Sequence, residues 1–365
     1  MLSMDSNRRT RGCTNPNRTR MRIGVLWGAL VFAFALPALS EDGPTFADLG
    51  RCELERGGVI EDCRVGYRTV GELNADRSNA ILFPTWFSGS SADLAAMVGP
   101  NFLDPERYFV IVVDALGNGV SSSPSNSETQ SGDGFPEITI GDMVESQHRL
   151  ITEVLGLDRL HAVVGISMGG MQTFEWAVRY PGFMRRVVPI TGSPRLAAYD
   201  IALWHAYRQL LDLAEECECD EAGKAMQGLV LLVGRTPEYH ARESDRSEVL
   251  ATIDDAATQR AMEKGRSDDL GSQALAMMTH DVSRSYGDDI DRAAAVVQAD
   301  MLVVVGVDDH IVTPGPALSF AESIGGKRLV LQGDCGHGAP TCSAAEMNQA
   351  IALSLNGDVP TASTN

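Results

Sequence analysis

Leu160-His161-Ala162-Val163-Val164-Gly165-Ile166-Ser167-Met168-Gly169 is the stretch on which the reading of this chain turns. An apolar, β-branched run leads into Gly-x-Ser-x-Gly, and an amphipathic segment follows over 168–180 until Pro181-Gly182 stops it. This is the pattern of a strand that doubles back into a helix through a sharp turn. A serine at such a turn has a strained backbone, and its neighbours must lack side chains for the chain to fold back on itself. Its Oγ then stands above the sheet, beside a helix N-terminus whose amides favour negative charge. Ser167 is therefore the candidate nucleophile.

The same alternation extends in both directions. Apolar runs at 59–69, 80–85, 109–115, 160–165, 186–191, 301–306 and 328–331 read as strands. Amphipathic runs at 140–155, 168–180, 316–324 and 344–355 read as helices. The runs from Phe109 and from Met301 are continuously apolar, as expected of strands buried on both faces. The fold class this predicts is α/β, a mostly parallel central sheet with helices on both faces. Between 194 and 289 the alternation breaks into charged, helical sequence punctuated by Gly228, Gly234 and Pro237. That stretch reads as a helical cap inserted between a first core part, 41–193, and a second, 290–365. Caps of this kind shape a pocket and exclude water.

A nucleophile elbow requires an acid and then a base later in the chain. Asp309, just past the strand at 301–306, fits the acid, with the adjacent Asp308 as the alternative. His337, in the loop after the next strand, fits the base that such an acid orients. His148, His161, His205, His240 and His280 fall outside any such position, and His310 sits beside the acid itself. Two backbone N–H groups should stabilise a developing oxyanion: that of Met168, which follows the nucleophile, and that of Phe87, in the loop after the strand at 80–85. Trp86 and Phe87 also suit the roof of a pocket.

From 98 to 198 the chain resembles homoserine O-acetyltransferases and their relatives in the α/β-hydrolase superfamily. The resemblance is carried by Gly99-Pro100 with Asp104 and Tyr108, by Phe135-Pro136-Glu137 through Asp142, and by Ser167-Met168-Gly169-Gly170-Met171-Gln172 through Glu175-Trp176. A weaker match runs from 274 through His337. The resemblance implies the α/β-hydrolase fold with Ser167, Asp309 and His337 as a triad, and dimerisation through the cap. It does not carry the substrate over. The family holds the substrate ammonium with an Asp after the catalytic His, where this chain has Gly338. It grips the carboxylate with a cap Arg, where Val233 stands here. Arg235 substitutes only if the alignment slips by two, and Tyr239 resembles the family's cap Tyr. Losing charge partners for a zwitterion costs several kcal/mol of recognition. The expected chemistry is acyl transfer through an acyl-Ser167 intermediate to water, on a small ester. The alternatives are an O-acyltransferase with an acyl-CoA donor and a non-catalytic binding protein.

A formal net charge of −19 over 365 residues argues against nucleic acid or an anionic membrane as partner. No spacing of ligands calls for a metal, and the chemistry needs no cofactor. Arg20 and Arg22, the apolar run 23–36, and Ala38-Leu39-Ser40 before Glu41-Asp42 read as a signal peptide cleaved after Ser40. The rival reading is an uncleaved anchor, for which the apolar run is short against about 20 residues. Residues 1–20 read as an upstream mis-assigned start or an extension. Export to a periplasmic or extracellular compartment would permit disulfides among the six cysteines beyond the leader. Cys52 pairs naturally with Cys63 across Gly57-Gly58, and Cys335 with Cys342 around His337. Cys217 and Cys219 are too close for a relaxed bridge and read as a strained bridge, two free thiols or a weak metal clip.

Overall fold

The computed structural model describes residues 43–217, 220–251 and 266–357. The leader, its cleavage point and Glu218-Cys219 lie outside the described residues. One eight-stranded sheet organises the chain: β1 Thr45–Glu53, β2 Val59–Val70, β3 Ala80–Pro84, β4 Phe109–Val113, β5 Leu160–Ile166, β6 Met184–Ile190, β7 Asp300–Gly306 and β8 Lys327–Leu331. The order across it is β1-β2-β4-β3-β5-β6-β7-β8. Pairings of β1 with β2 and of β2 with β4 are antiparallel, and all the others are parallel.

Alternation along the central strands sends side chains to two separate apolar layers. In β3, Ala80 and Leu82 join one cluster and Ile81 and Phe83 the other; in β4, Ile111 and Val113 oppose Val110 and Val112. Both faces are buried because helices cover both. On the first face lie α2 Ile140–Arg149 and α3 Met168–Arg179, and on the second lies α1 Ser91–Ala95. Thr139 caps α2 reciprocally: its Oγ accepts from the Asp142 N–H at 3.0 Å, and its own N–H donates to the Asp142 carboxylate at 2.8 Å. The helix predicted over 140–155 is regular only to Arg149 and widens into a π-turn over Leu150–Val154.

Between β6 and β7 the described residues include α4 Ala198–Cys217, α5 Asp220–Val233, α6 Pro237–Glu243 and α7 Arg266–Met278. The chain then returns through α8 Ile290–Ala294 to β7, and continues with α9 Gly315–Ser323, α10 Ala339–Cys342 and α11 Ala344–Asn356. α11 packs on the second face with α1, whereas α9 joins the first. Disulfides join Cys52 to Cys63 and Cys335 to Cys342. Cys217 is also disulfide-bonded. Among the described residues no helix is long and apolar enough to cross a membrane.

The first strand, Thr45–Glu53, has no counterpart among the runs read from sequence. Its register against β2 shifts twice around Gly50, so it has no clean alternation to read.

Candidate active site

Ser167 sits between the end of β5 and the start of α3 with φ 57° and ψ −120°, a conformation that costs an L-residue free energy. The surroundings hold it there. Its N–H donates to the Ile190 carbonyl at 2.8 Å. A Cβ on Gly165 would come within 2.1 Å of the Gly169 carbonyl oxygen, and one on Gly169 within 2.5 Å of the Pro84 oxygen. The turn therefore closes only because both positions lack side chains.

His337 Nε2 lies 3.0 Å from Ser167 Oγ, and His337 Nδ1 lies 2.7 Å from Asp309 Oδ2. A carboxylate only accepts, so Nδ1 carries the proton and Nε2 is left to accept from the serine hydroxyl. Asp309 is 2% exposed. Its other oxygen accepts from the N–H groups of Ile311 and Val312 at 2.9 and 3.0 Å, which fixes the carboxylate plane. Asp308 is exposed. The loop bearing His337 is tethered on both sides. The Cys335–Cys342 disulfide closes it, and the Asp334 carbonyl accepts from Thr236 N–H at 3.2 Å and Thr236 Oγ at 2.8 Å. Arg242 adds an ion pair to the Asp334 carboxylate and holds it below its ordinary pKa by hydrogen bonding.

Met168 opens α3, so its N–H has no carbonyl one turn earlier within the helix. Phe87 lies in the loop after β3, where neighbouring amides are engaged elsewhere. Gly89 N–H donates to the Trp86 carbonyl, and Ser88 N–H to Gln273 Oε1 at 2.9 Å. Gln172 ties the two sides together, donating to the Thr85 carbonyl at 3.0 Å and the Met168 carbonyl at 3.1 Å. Gln147 donates to Gln172 Oε1 and accepts from Trp176 Nε1. The Gln172 and Trp176 of the resemblance segment thus brace the turn from below. Sequence reading quoted them without seeing that role.

Above Ser167 lies a cavity of about 1320 Å³. Trp86, Phe87, Ser167 and His337 line it; Arg235, Tyr239 and Gly338 do not. These last three pack on one another instead. The Arg235 guanidinium lies 5.3 Å from the Tyr239 ring centre and over Gly338, and Arg242 lies 5.6 Å from the same ring. Val233 packs against the core. Residues that sequence reading missed come from the insertion. Trp204 and Tyr207 of α4 meet Phe87 edge to face, with ring centres 4.9 and 5.6 Å away, and Val230 and Leu270 join the lining. Among the described residues no Lys or Arg lines the cavity, and the one carboxylate on its lining, Asp93, is held by Ser90. Among the described residues no cluster of His, Cys, Asp and Glu could hold a metal ion.

A family model of the alpha/beta hydrolase fold matches residues 79–340. The chain is 47% identical over 158 residues to a probable esterase of Corynebacterium glutamicum, covering 42% of this chain and 45% of that protein. It is 34% identical over 292 residues to an ethyl acetate hydrolase of Pseudomonas veronii, covering 76% and 84%. A homoserine O-acetyltransferase of Caulobacter vibrioides is 39% identical over 177 residues, 43% of this chain and 46% of that one. The chain thus matches about half the length of the first and third of these relatives. Among solved structures, an acetylester hydrolase from Corynebacterium glutamicum superposes with a TM-score of 0.78 at 31% identity, covering 86% of this chain and 95% of the other.

Proposed function

The chain belongs to the alpha/beta hydrolase fold family, and from that premise we propose that it hydrolyses a small neutral ester through an acyl-Ser167 intermediate. The observation that carries this reading is the relay Ser167–His337–Asp309, closed at 3.0 and 2.7 Å beneath a cavity that no Lys or Arg lines among the described residues.

The steps follow from the geometry. Ser167 Oγ attacks the ester carbonyl carbon while His337 Nε2 takes the hydroxyl proton. Asp309 holds the ring and stabilises the imidazolium. The N–H groups of Met168 and Phe87 receive the oxyanion of the tetrahedral intermediate. As the ester C–O bond breaks, His337 returns the proton to the departing alcohol oxygen. Water then attacks the acyl-serine carbonyl, again with its proton passing to His337 and on to Ser167 Oγ, and the carboxylic acid leaves. The helical insertion acts as a cap that keeps the intermediate from bulk water.

Acyl-CoA with homoserine is the rival, supported by the kinship with acetyltransferases. The cavity disfavours it. Among the described residues neither the phosphates of CoA nor the carboxylate of homoserine would meet a Lys or Arg on the lining, and a formal net charge of −19 adds long-range repulsion. Hydrolysis of acetate esters, with and without acetyl-CoA and homoserine, tests the choice. Esterase activity together with Ser167-dependent fluorophosphonate labelling supports the reading. Homoserine acetylation outrunning hydrolysis would overturn it. We also propose that the protein is exported, supported by the signal-like sequence before 41 and by disulfides typical of oxidising compartments.

A further inference from the structure

The cavity draws its lining from both faces of the sheet. Phe87, Trp204, Tyr207, Leu270 and Ile311 belong to or pack against the apolar layer on the insertion side, and form an aromatic box beside Ser167. The rest of the lining lies against the opposite layer, between α1 and α11. Ala92, Asp93 and Ala96 present one face of α1 and the residue just beyond it. Ala344, Met347 and Asn348, at i, i+3 and i+4, present one face of α11. Three of those six are alanines, which leaves the space between the helices open. Met97 adds an exposed apolar side chain, 38% accessible, and Ile166 and Pro340 carry the surface back to the relay. Asn348 Oδ1 is buried with no hydrogen-bond partner in the protein, and Asp93, Asn101 and Thr341 are the other polar side chains on this part of the lining. At about 1320 Å³ the cavity exceeds the roughly 300–1,000 Å³ of pockets for drug-sized ligands, far beyond what an ethyl ester fills.

We infer that the groove between α1 and α11 holds the alcohol part of the ester, and that this part is an extended, uncharged apolar group. This rests on the ester-hydrolase reading above. The assignment of alcohol rather than acyl group follows from proton delivery. His337 protonates the departing oxygen, so the departing group lies on the His337 side. The chain that leaves His337 forms one wall of this groove, through Pro340 and Thr341 to Ala344, Met347 and Asn348. The acyl group is left to the aromatic box, where three edge-to-face rings leave room for a short chain.

Two ester series separate the halves: acetates of ethyl, hexyl and decyl alcohol, and ethyl esters of acetic, hexanoic and decanoic acid. With the full chain, kcat/KM rises about tenfold or more from ethyl to hexyl acetate, and falls along the ethyl alkanoates. Ala96→Trp and Ala344→Trp each fill the groove, the first from an exposed position that tolerates the change. Each lowers the hexyl-to-ethyl acetate ratio about tenfold. A flat or falling alcohol series, a rise along the acyl series, or an unaltered ratio in both variants overturns the inference while leaving ester hydrolysis standing. Failure to cleave any of these esters, ethyl acetate included, overturns both.

Discussion

Arg235 and Gly338 share one space: a Cβ built on Gly338 would lie 2.0 Å from Arg235 Nη1 and 2.2 Å from its Cζ. The guanidinium thus fills the room in which the related acetyltransferases are expected to carry a carboxylate. Gly338→Asp alone is expected to pair with Arg235 and shift the adjacent His337, lowering esterase kcat by about 10–100-fold without homoserine acetylation. Adding Arg235→Ala should recover much of the loss. Acetyl transfer to homoserine by the single variant would show that Arg235 does not obstruct that position.

Ser167→Ala removes the proposed nucleophile while keeping the turn. Ester hydrolysis should fall by about four to six orders of magnitude, with fluorophosphonate labelling lost and the melting temperature little changed. Residual labelling in a folded variant would point to a different nucleophile.

Asp309→Asn and Asp308→Asn distinguish the two candidate acids. With its oxygen kept by the Ile311 and Val312 N–H groups, the amide at 309 would turn its NH2, a donor, toward His337 Nδ1, and kcat should drop by about 10⁴. Asp308 is exposed, so its variant should keep activity within about twofold. Equal losses at both positions would contradict the observed pairing.

The Cys335–Cys342 bridge closes a seven-residue separation around His337. A loop that short gives about 2–3 kcal/mol of chain-entropy stabilisation. Cys335→Ser/Cys342→Ser is expected to lower the melting temperature and to reduce kcat more than it raises KM, because the loosened element carries the base. An unchanged kcat would mean that Thr236 and Arg242 alone hold the loop.

Glu175, on α3 behind the elbow, shares the single guanidinium of Arg179 with Glu55 and Glu145. Burial pushes its carboxyl up to about 7 from 4.5. A raised folded-state value means that its contribution to stability is complete below about pH 4.5 and is lost as pH rises through about 7. The loss is roughly 3 kcal/mol, at 1.36 kcal/mol per unit. His280 Nδ1 lies 4.0 Å away, and burial lowers that imidazole to about 3 from 6.5. Its contribution is complete above about pH 6.5 and is lost as pH falls toward 3. Glu175→Gln should therefore flatten the decline in melting temperature between pH 5 and 8 while leaving the acid limb in place. Parallel pH profiles for variant and parent would rule this origin out.

The elements that sequence displayed well are those whose pattern is set by burial alone. β4 and β7 are covered on both faces and read as unbroken apolar runs, and the structure begins each within one residue of the expected position. Ser167, Asp309 and His337, which the fold brings within hydrogen-bond distance, were legible for another reason: the proposed chemistry asks for a serine at a sharp turn, an acid past a strand and a base in a loop. β1 was not legible, because an edge strand with exposed Asp48 and Arg51 and a shifting register has no clear period. Arg235 entered only through a two-residue slip of the resemblance, and the fold packs it against a glycine 103 positions later in the chain. The groove between α1 and α11 was invisible because alanine and methionine are unremarkable residues, and only the fold brings 92–97 and 340–348 face to face.

The close approach at Gly165 and Gly169 also bears on how this chain can change over time. Those positions meet backbone, which cannot move aside, so the turn that presents Ser167 admits almost no variation. The walls of the cavity, by contrast, include small side chains such as Ala92, Ala96 and Ala344 that border open space. Heritable novelty in this molecule is therefore channelled: drift can revise which molecules enter the cavity while the turn beneath it stays as it is.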